Sequence, residues 1–421
     1  MATFVFETIS ATDASTFTSD DRLLFQNATV GTLSVTDNPA TTSVLTTTVE
    51  SFTLSNGTHS ATFSAAALSG ASTAGNLVFV NGDELVLGSA STQIISFADA
   101  GHGHATKVYA FDGNDTVQGT SAANDTIDGG GGNDMITGSS SYTDAAGHFT
   151  ENDFYMGGAG DDVIHGGTGN DHIYGNLISS TAGAADGADG LFGGLGNDYV
   201  QGNGGDDSIH GNEGNDRLYG GAGVDIISGD DGNDYLQGNK GADTLRGGND
   251  SDTIHGGADN DLINGDAGND QVFGDAGNDT VSAGAGFDTL WGGDGDDTFR
   301  FSPGDDSNSN VAVTVGANAG LTDVIADFTG GADVIKLPFA VATVLHQANG
   351  ITLTTVDAAQ TYAQGLLDAH TGTHEVAAVT VGHDTYLFYN SSGNDGSLIN
   401  QAVKVLGVTG ATFHADGSDF V

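Results

Sequence analysis

Residues 184–300 divide without remainder into thirteen nonapeptides: AADGADGLF, GGLGNDYVQ, GNGGDDSIH, GNEGNDRLY, GGAGVDIIS, GDDGNDYLQ, GNKGADTLR, GGNDSDTIH, GGADNDLIN, GDAGNDQVF, GDAGNDTVS, AGAGFDTLW and GGDGDDTFR. Position 6 is Asp and position 8 is apolar in all thirteen, while position 4 is Gly in eleven, the exceptions being Asp250 and Asp259. The phase of nine holds over residues 148–300, or 17 units. Upstream, DGNDTVQG from Asp112, NDTIDG at 124–129 and GGGGNDMIT at 129–137 are imperfect copies, and an interruption follows at 138–147. One unit inside the phased run, GNLISSTAG at 175–183, lacks both the Asp and the apolar residue. It is either a degenerate coil or a loop, and the loop is the better reading.

A six-residue turn of the form GGxGxD reverses the chain tightly, because Gly reaches positive φ without a Cβ clash. The remaining three residues make a short strand whose central side chain points inward. Two nonads then close one coil, and stacked coils form two parallel sheets with a thin core. Leu191, Val200, Ile209, Leu218 and Ile227 begin that core. The fold class expected is all-β: a parallel β-roll, flanked by an N-terminal β-rich domain and a C-terminal β-rich cap with a short helix.

Stacking at the strand spacing sets the Asp of one unit about 4.8 Å from the Asp two units on. Thirteen contiguous units give 11 such pairs. Each pair repels by roughly 1 kcal/mol in bulk water and roughly 3 to 4 kcal/mol at an effective dielectric near 20. The sum rivals the roughly 5 to 15 kcal/mol that holds a domain together. A divalent cation between each pair reverses the sign, and turn carbonyls add further hard oxygen donors. All-oxygen, flexible coordination selects Ca²⁺ over Zn²⁺ or Mg²⁺. The candidate ligands are Asp115, Asp125, Asp134, Asp153, Asp162, Asp171, Asp189, Asp198, Asp207, Asp216, Asp225, Asp234, Asp243, Asp252, Asp261, Asp270, Asp279, Asp288 and Asp297. With one ion per stacked pair, 11 ions move the formal charge from -48 to about -26. Folding and metal binding then become one event.

Composition agrees with that reading and excludes others. Eight Lys and Arg stand against 56 Asp and Glu, a charge that repels nucleic acid and anionic membrane alike. There is no Cys, so neither disulfides nor thiolate metal sites hold the chain together. The sequence MATFVFETISATD has no basic segment followed by an apolar one, and no run of 18 apolar residues occurs, so neither a cleaved N-terminal signal nor a membrane span is expected.

Three domains follow: 1–109, rich in Thr, Ser and Val; 110–300, the roll, with imperfect repeats at 110–147 and phased nonads at 148–300; and 301–421, the cap. In the first, VLTTTVESFTL at 44–54 alternates as a strand does, and LVFVNGDELVLG at 77–88 reads as a β-hairpin about an Asn-Gly pair. In the last, DVIADFTGGADVIKL at 323–337 reads as two strands about a Gly-Gly turn. Residues 357–370 place Ala359, Ala363, Leu366 and Leu367 behind a possible Asp357 cap, which suits a short amphipathic helix.

Residues 129–300 resemble the RTX (repeats-in-toxin) family, in which aspartates and turn carbonyls bind Ca²⁺ in a parallel β-roll. DTFRF at 297–301, DVIADFTGGADVIKL and the ending ADGSDFV are similar to the C-terminal targeting region of type I secretion substrates. The resemblance implies export in one step through an ABC-transporter channel, directed by an uncleaved C-terminal signal, and an extracellular or bacterial cell-surface location. RTX members include toxins, proteases, lipases, adhesins and surface-layer proteins, so the resemblance alone assigns no task.

Neither HExxH nor GxSxG occurs, which argues against a protease or lipase of that family and for a protein that is not an enzyme. His102 and His104 in GHGHATK read as linker residues, with a minor metal site as the alternative. His165, His210 and His255 fall at position 9 and read as exposed strand residues. Tyr199, Tyr219, Tyr235, Phe273 and Trp291 flank the core position on units of one parity, so they project from one sheet. They serve either β-propensity or a contact stripe for self-assembly or glycan binding. The function expected is a secreted, self-assembling surface-layer, fibre or matrix component. An adhesin or lectin-like module is the runner-up, and a hydrolase with an unfamiliar N-terminal site stands third.

Overall fold

The computed structural model describes strands at Thr3–Val5, Arg22–Phe25, Ser34–Asn38, Ser51–Ser55, Ser60–Ser64, Gly75–Phe79, Glu84–Leu87 and Ile94–Ser96 in the first part of the chain. Beyond these it describes residues 106–110, 113–119, 124–138, 152–176, 187–301, 323–327, 334–337, 343–347, 351–353, 356–369, 375–389, 399 and 401–406, together with Thr92. His102, His104, most of the unit at 175–183 and the ending ADGSDFV lie outside the described residues. The chain forms two compact units, Met1–Ser208 and Ile209–Val421.

In the first unit, Ile94–Ser96, Thr116–Gln118, Met135–Thr137, Val163–Thr168 and Gly190–Leu195 stack as one parallel series. Glu84–Leu87, Thr106–Tyr109, Thr126–Gly131, Phe154–Ala159, His172–Tyr174 and Tyr199–Gly204 form the other. The inward apolar side chains among the described residues are Ile95, Val117, Ile136, Ile164 and Leu191 from one series and Val108, Ile127, Tyr155, Ile173 and Val200 from the other. The expected hairpin is present, Gly75–Phe79 lying antiparallel to Glu84–Leu87. A separate three-stranded antiparallel sheet joins Ser34–Asn38, Ser51–Ser55 and Ser60–Ser64.

The interruption at 138–147 and the irregular unit at 175–183 show in the stacking distance. Asp125 pairs with Asp153 and Asp134 with Asp162, 28 residues apart, while Asp162 pairs with Asp189 and Asp171 with Asp198, 27 apart. Uninterrupted pairs are 18 apart, as at Asp153 and Asp171. The separations of 28 and 27 exceed 18 by ten and nine residues, the lengths of 138–147 and 175–183, so the described aspartates on either side of each segment stack as direct neighbours.

In the second unit, Ile226–Asp231, Thr244–Asn249, Leu262–Gly268, Thr280–Ser282, Thr298–Arg300 and Val334–Lys336 stack in parallel. Arg217–Ala222, Tyr235–Lys240, Thr253–Ala258, Gln271–Ala276, Thr289–Trp291 and Asp323–Ile325 make the facing series. The nonad count ends at Arg300, yet one more strand on each side continues the stack and buries Ile325 and Ile335. The two strands read in DVIADFTGGADVIKL thus exist, but they do not pair with each other. Each extends a different sheet, Asp323–Ile325 that of Thr289–Trp291 and Val334–Lys336 that of Thr298–Arg300, because both offer an inward apolar residue.

Most strands between Gly190 and Ala276 are also longer than three residues. Ile226–Asp231 runs through position 3 of the next nonad, so the tight turn contracts to positions 4 to 6. Position 2 makes this possible: Asn203, Asn212, Asp230, Asn239, Asp266 and Asp275 all adopt positive φ, between 67° and 78°. Asn and Asp tolerate that region best after Gly. Asp250 and Asp259, the two exceptions at position 4, adopt it too, with φ of 69° and 79°.

Beyond the roll, Gln401–Val405 extends the sheet from Asp323–Ile325, and Asp384–Tyr389, Glu375–Val381 and Thr343–His346 follow. Helix α1 (Val356–Ala369) covers this sheet with Ala359, Ala363 and Leu367, which pack among Leu345, Ala377, Val379, Tyr386, Phe388 and Ile399. It begins one residue before the expected cap, so Asp357 stands in its first turn.

Candidate metal centre

All nineteen aspartates named from the sequence are at most 3% exposed. The stacked strands place them there: position 6 ends the turn, and the buried position 8 residue two places on draws the chain inward. A buried carboxylate needs partners, since desolvation penalises its charge. One oxygen has a partner within the fold. The amide of Asp216 donates to Oδ1 of Asp234 at 2.8 Å, that of Asp234 to Asp252 at 2.8 Å, and that of Asp252 to Asp270 at 2.9 Å. The opposite edge repeats this from Asp225 to Asp243, Asp261 and Asp279 at 2.8 Å each. The partnership of units n and n+2 is the one expected, but the contact is carboxylate to amide rather than carboxylate to carboxylate.

The second oxygen is different. Oδ2 of Asp134, Asp234, Asp243, Asp252, Asp261, Asp270 and Asp279 is buried without a hydrogen-bond partner. Its surroundings are oxygen-rich. A Cβ added to Gly229 would fall on Asp234 Oδ2 and on the carbonyl oxygen of Gly247. The same cradle recurs at Gly238 with Asp243 and Gly256, at Gly247 with Asp252 and Gly265, and at Gly256 with Asp261 and Gly274. In these units position 1 is Gly because a side chain there would fill the space between a carboxylate and a carbonyl.

Burial pushes the carboxyl of Asp252 up to about 8, those of Asp234, Asp261 and Asp270 up to about 7, and that of Asp279 up to about 6. The amide hydrogen bond to each opposes the shift and is outweighed. A row of carboxyls that burial drives toward protonation is a row that a divalent cation would stabilise as carboxylates. Among the described residues no three His, Asp or Glu side chains converge. A metal here would therefore take one carboxylate oxygen per cradle and complete its shell from main-chain carbonyls, a hard-oxygen set that fits Ca²⁺.

A model of the RTX calcium-binding nonapeptide repeat matches residues 109–141, 149–177, 184–218, 201–236, 237–272, 246–281 and 273–307. These repeats are RTX calcium-binding nonapeptides. Among 29 solved chains similar to this one is the AlgE6R3 subunit of a mannuronan C5-epimerase from Azotobacter vinelandii, at 27% identity. That match covers 41% of this chain and 78% of the other, with a TM-score of 0.25. Comparison with curated proteins gives no match.

Three features of the RTX array escaped the sequence reading. The first is a second ladder at position 5, where Asn215 Oδ1 accepts the Asn233 amide at 2.7 Å, Asn233 Oδ1 the Ser251 amide at 3.0 Å, and Asn260 Oδ1 the Asn278 amide at 2.7 Å. It runs opposite to the aspartate ladder, from the amide of n+2 to the side chain of n. The signal was the frequency of Asn at position 5. The second is a set of pairs between position 9 and a position 2 Asp of the adjacent coil: Arg246 with Asp266 through two 3.0 Å bonds, His210 with Asp230 at 3.2 Å and His255 with Asp275 at 3.0 Å. His255 is thus no simple exposed residue. It stacks on Phe273, which stacks on Trp291, at centroid distances of 4.4 and 4.2 Å. Tyr219 and Tyr235 continue the row on adjacent strands of the same sheet. The third feature is Tyr155, whose hydroxyl donates to Asp153 Oδ2 at 2.6 Å.

Proposed function

We propose that this protein is a secreted, calcium-assembled structural element, in which the RTX array becomes rigid on meeting Ca²⁺ outside the cell. The observation that carries the reading is the row of buried Oδ2 atoms at Asp234, Asp243, Asp252, Asp261, Asp270 and Asp279, each beside a glycine cradle. When bound, calcium supplies charge neutralisation and coordination there. The chain's own residues do the rest. Position 1 glycines leave the space, position 6 amides hold Oδ1, and position 5 side chains tie neighbouring turns. Where calcium is scarce, ionised carboxylates oppose the closed roll and leave the chain open, which suits passage through an ABC-transporter channel under direction of residues 301–421. No helix among the described residues is long and apolar enough to cross a membrane.

Rigidity along a stack of identical coils suits a surface-layer, fibre or matrix component that associates with copies of itself, without catalysis. An adhesin reading ranks lower for a geometric reason. His255, Phe273 and Trp291 turn their ring faces toward one another at interplanar angles of 3° and 7°, so those faces are not spread as a platform for sugar rings. Sedimentation and electron microscopy, with Ca²⁺ and after chelation, test assembly. Particles larger than a monomer with Ca²⁺ are expected; monomers in both conditions, with binding on a glycan screen, would transfer the reading to the adhesin.

A further inference from the structure

Tyr155 occupies the inward position of Phe154–Ala159, where the stacked neighbours on its own sheet, Thr126–Gly131 and His172–Tyr174, carry Ile127 and Ile173. It is fully buried, and a phenol is long enough to reach back from the core into its own turn. There its hydroxyl donates to Asp153 Oδ2 at 2.6 Å. The glycine that opens this turn is Gly138. A Cβ on it would meet the Gly166 carbonyl oxygen and the Tyr155 hydroxyl. At Gly129, Gly157 and Gly229 the corresponding oxygen is the carboxylate Oδ2 of that turn's own Asp. The hydroxyl also faces the preceding turn on the same edge, lying 3.3 Å from where a Cβ on Gly119 would stand, beside Asp125 Oδ2.

Resting on the calcium reading above, we propose that the Tyr155 hydroxyl is a built-in substitute for a calcium ion, so that the Asp153 turn takes no metal and holds its shape without one. A hydrogen-bond donor supplies at one cradle what a cation supplies at the others: a positive pole against a buried carboxylate oxygen, in a space then filled. The substitution is confined to one edge of the roll. Asp134 and Asp162 on the other edge keep ordinary cradles at Gly129 and Gly157. The calcium requirement is therefore uneven along the array, with one turn of the first unit held by protein atoms alone.

The test uses the full chain and its Tyr155→Phe variant, which keeps the ring and removes the donor. Two quantities are read: Ca²⁺ bound per chain by equilibrium dialysis, and amide exchange in chelator. The parent should protect the amides of Phe154–Ala159 in chelator above those of Tyr235–Lys240. The variant should lose about tenfold of that protection, the worth of one buried hydrogen bond, and in Ca²⁺ should bind one more ion than the parent. The gain in Tyr155→Phe shows that the hydroxyl and not the ring excludes the ion, and Tyr155→Leu, which lacks both, should gain the same ion and no more. An unchanged or smaller ion count in both variants overturns the proposal, as does equal exchange of the two strands in the chelated parent. If the parent binds no Ca²⁺ anywhere, the calcium reading fails, and the exchange comparison still judges the hydroxyl by itself.

Discussion

The second unit holds two kinds of sheet. In the roll, a strand such as Tyr235–Lys240 buries Leu236 as its one large apolar side chain, and the turn before it buries a carboxylate. In the C-terminal sheet, Val376 to Val379 and Tyr386 to Tyr389 are buried consecutively, and α1 lays Ala359, Ala363 and Leu367 over them. One apolar side chain per nine ordered residues is a thin return against conformational entropy. The C-terminal sheet has enough apolar burial to stand on packing, whereas the roll needs its carboxylates neutralised. Calcium removal is the strongest way to break this comparison. At pH 8, chelation should abolish exchange protection at Ile226–Asp231 through Gln271–Ala276 while protection at Glu375–Val381 and Asp384–Tyr389 persists. Loss of both together would show that the sheet depends on the roll.

The contrast also explains what was legible in the sequence. Position 6 and position 8 could be read because strict periodicity leaves each residue type one environment, and all nineteen aspartates proved buried. The helix was legible from Ala359, Ala363 and Leu367 at helical spacing. Less legible was anything set by contacts between coils. Nothing local distinguishes Asp323–Ile325 and Val334–Lys336 as additions to two different sheets from the same strands as a hairpin; only the edges that the last nonads offer decide it. The division of the Asp252 carboxylate into a bonded and an unbonded oxygen likewise arises from stacking, because the donor, the Asp234 amide, lies 18 residues away. Tyr155 fills position 8 as apolar residues do in the other nonads, and nothing local marks it, since its hydroxyl matters only with Gly138 and Asp153 beside it.

Acid is the next lever, and its sign is opposite to that for an ordinary salt-bridged carboxylate. In the metal-free fold Asp252 is pushed from 3.8 to about 8, and Asp234, Asp261 and Asp270 to about 7. The folded state therefore holds protons more tightly than the unfolded one. Stability from these groups is fully present below about pH 4 and is lost as pH rises through 6 to 8. In chelator, circular dichroism should show roll structure returning as pH falls from 8 to 5. A metal-free signal that weakens on acidification would contradict burial as the dominant influence on these groups.

A narrower break is Asp252→Asn. Its Oδ1 still accepts the Asp234 amide, but an NH₂ replaces Oδ2 and can donate to the Gly265 carbonyl across the cradle. The two states should respond in opposite directions. In Ca²⁺ the variant should bind at least one ion fewer, losing about 2.7 kcal/mol for an ion held at one hundred times its Kd. In chelator it should be more ordered than the parent at pH 8, since a buried charge has gone. Destabilisation in both conditions would mean that Asp252 serves the turn rather than a metal.

The smallest effect distinguishes the two ladders. Asn215→Ala removes the acceptor for the Asn233 amide at an exposed turn, where water can replace it, so the cost should be about 0.5 to 1.5 kcal/mol. Position 5 side chains tie coils together from outside, whereas position 6 carboxylates face the cradles inside. The variant should therefore lower the calcium-saturated melting temperature by a few degrees and leave the number of bound ions unchanged. A lost ion would extend the metal site outward to position 5, and the division between a hydrogen-bonded outer ladder and a metal-bound inner one would have to be redrawn.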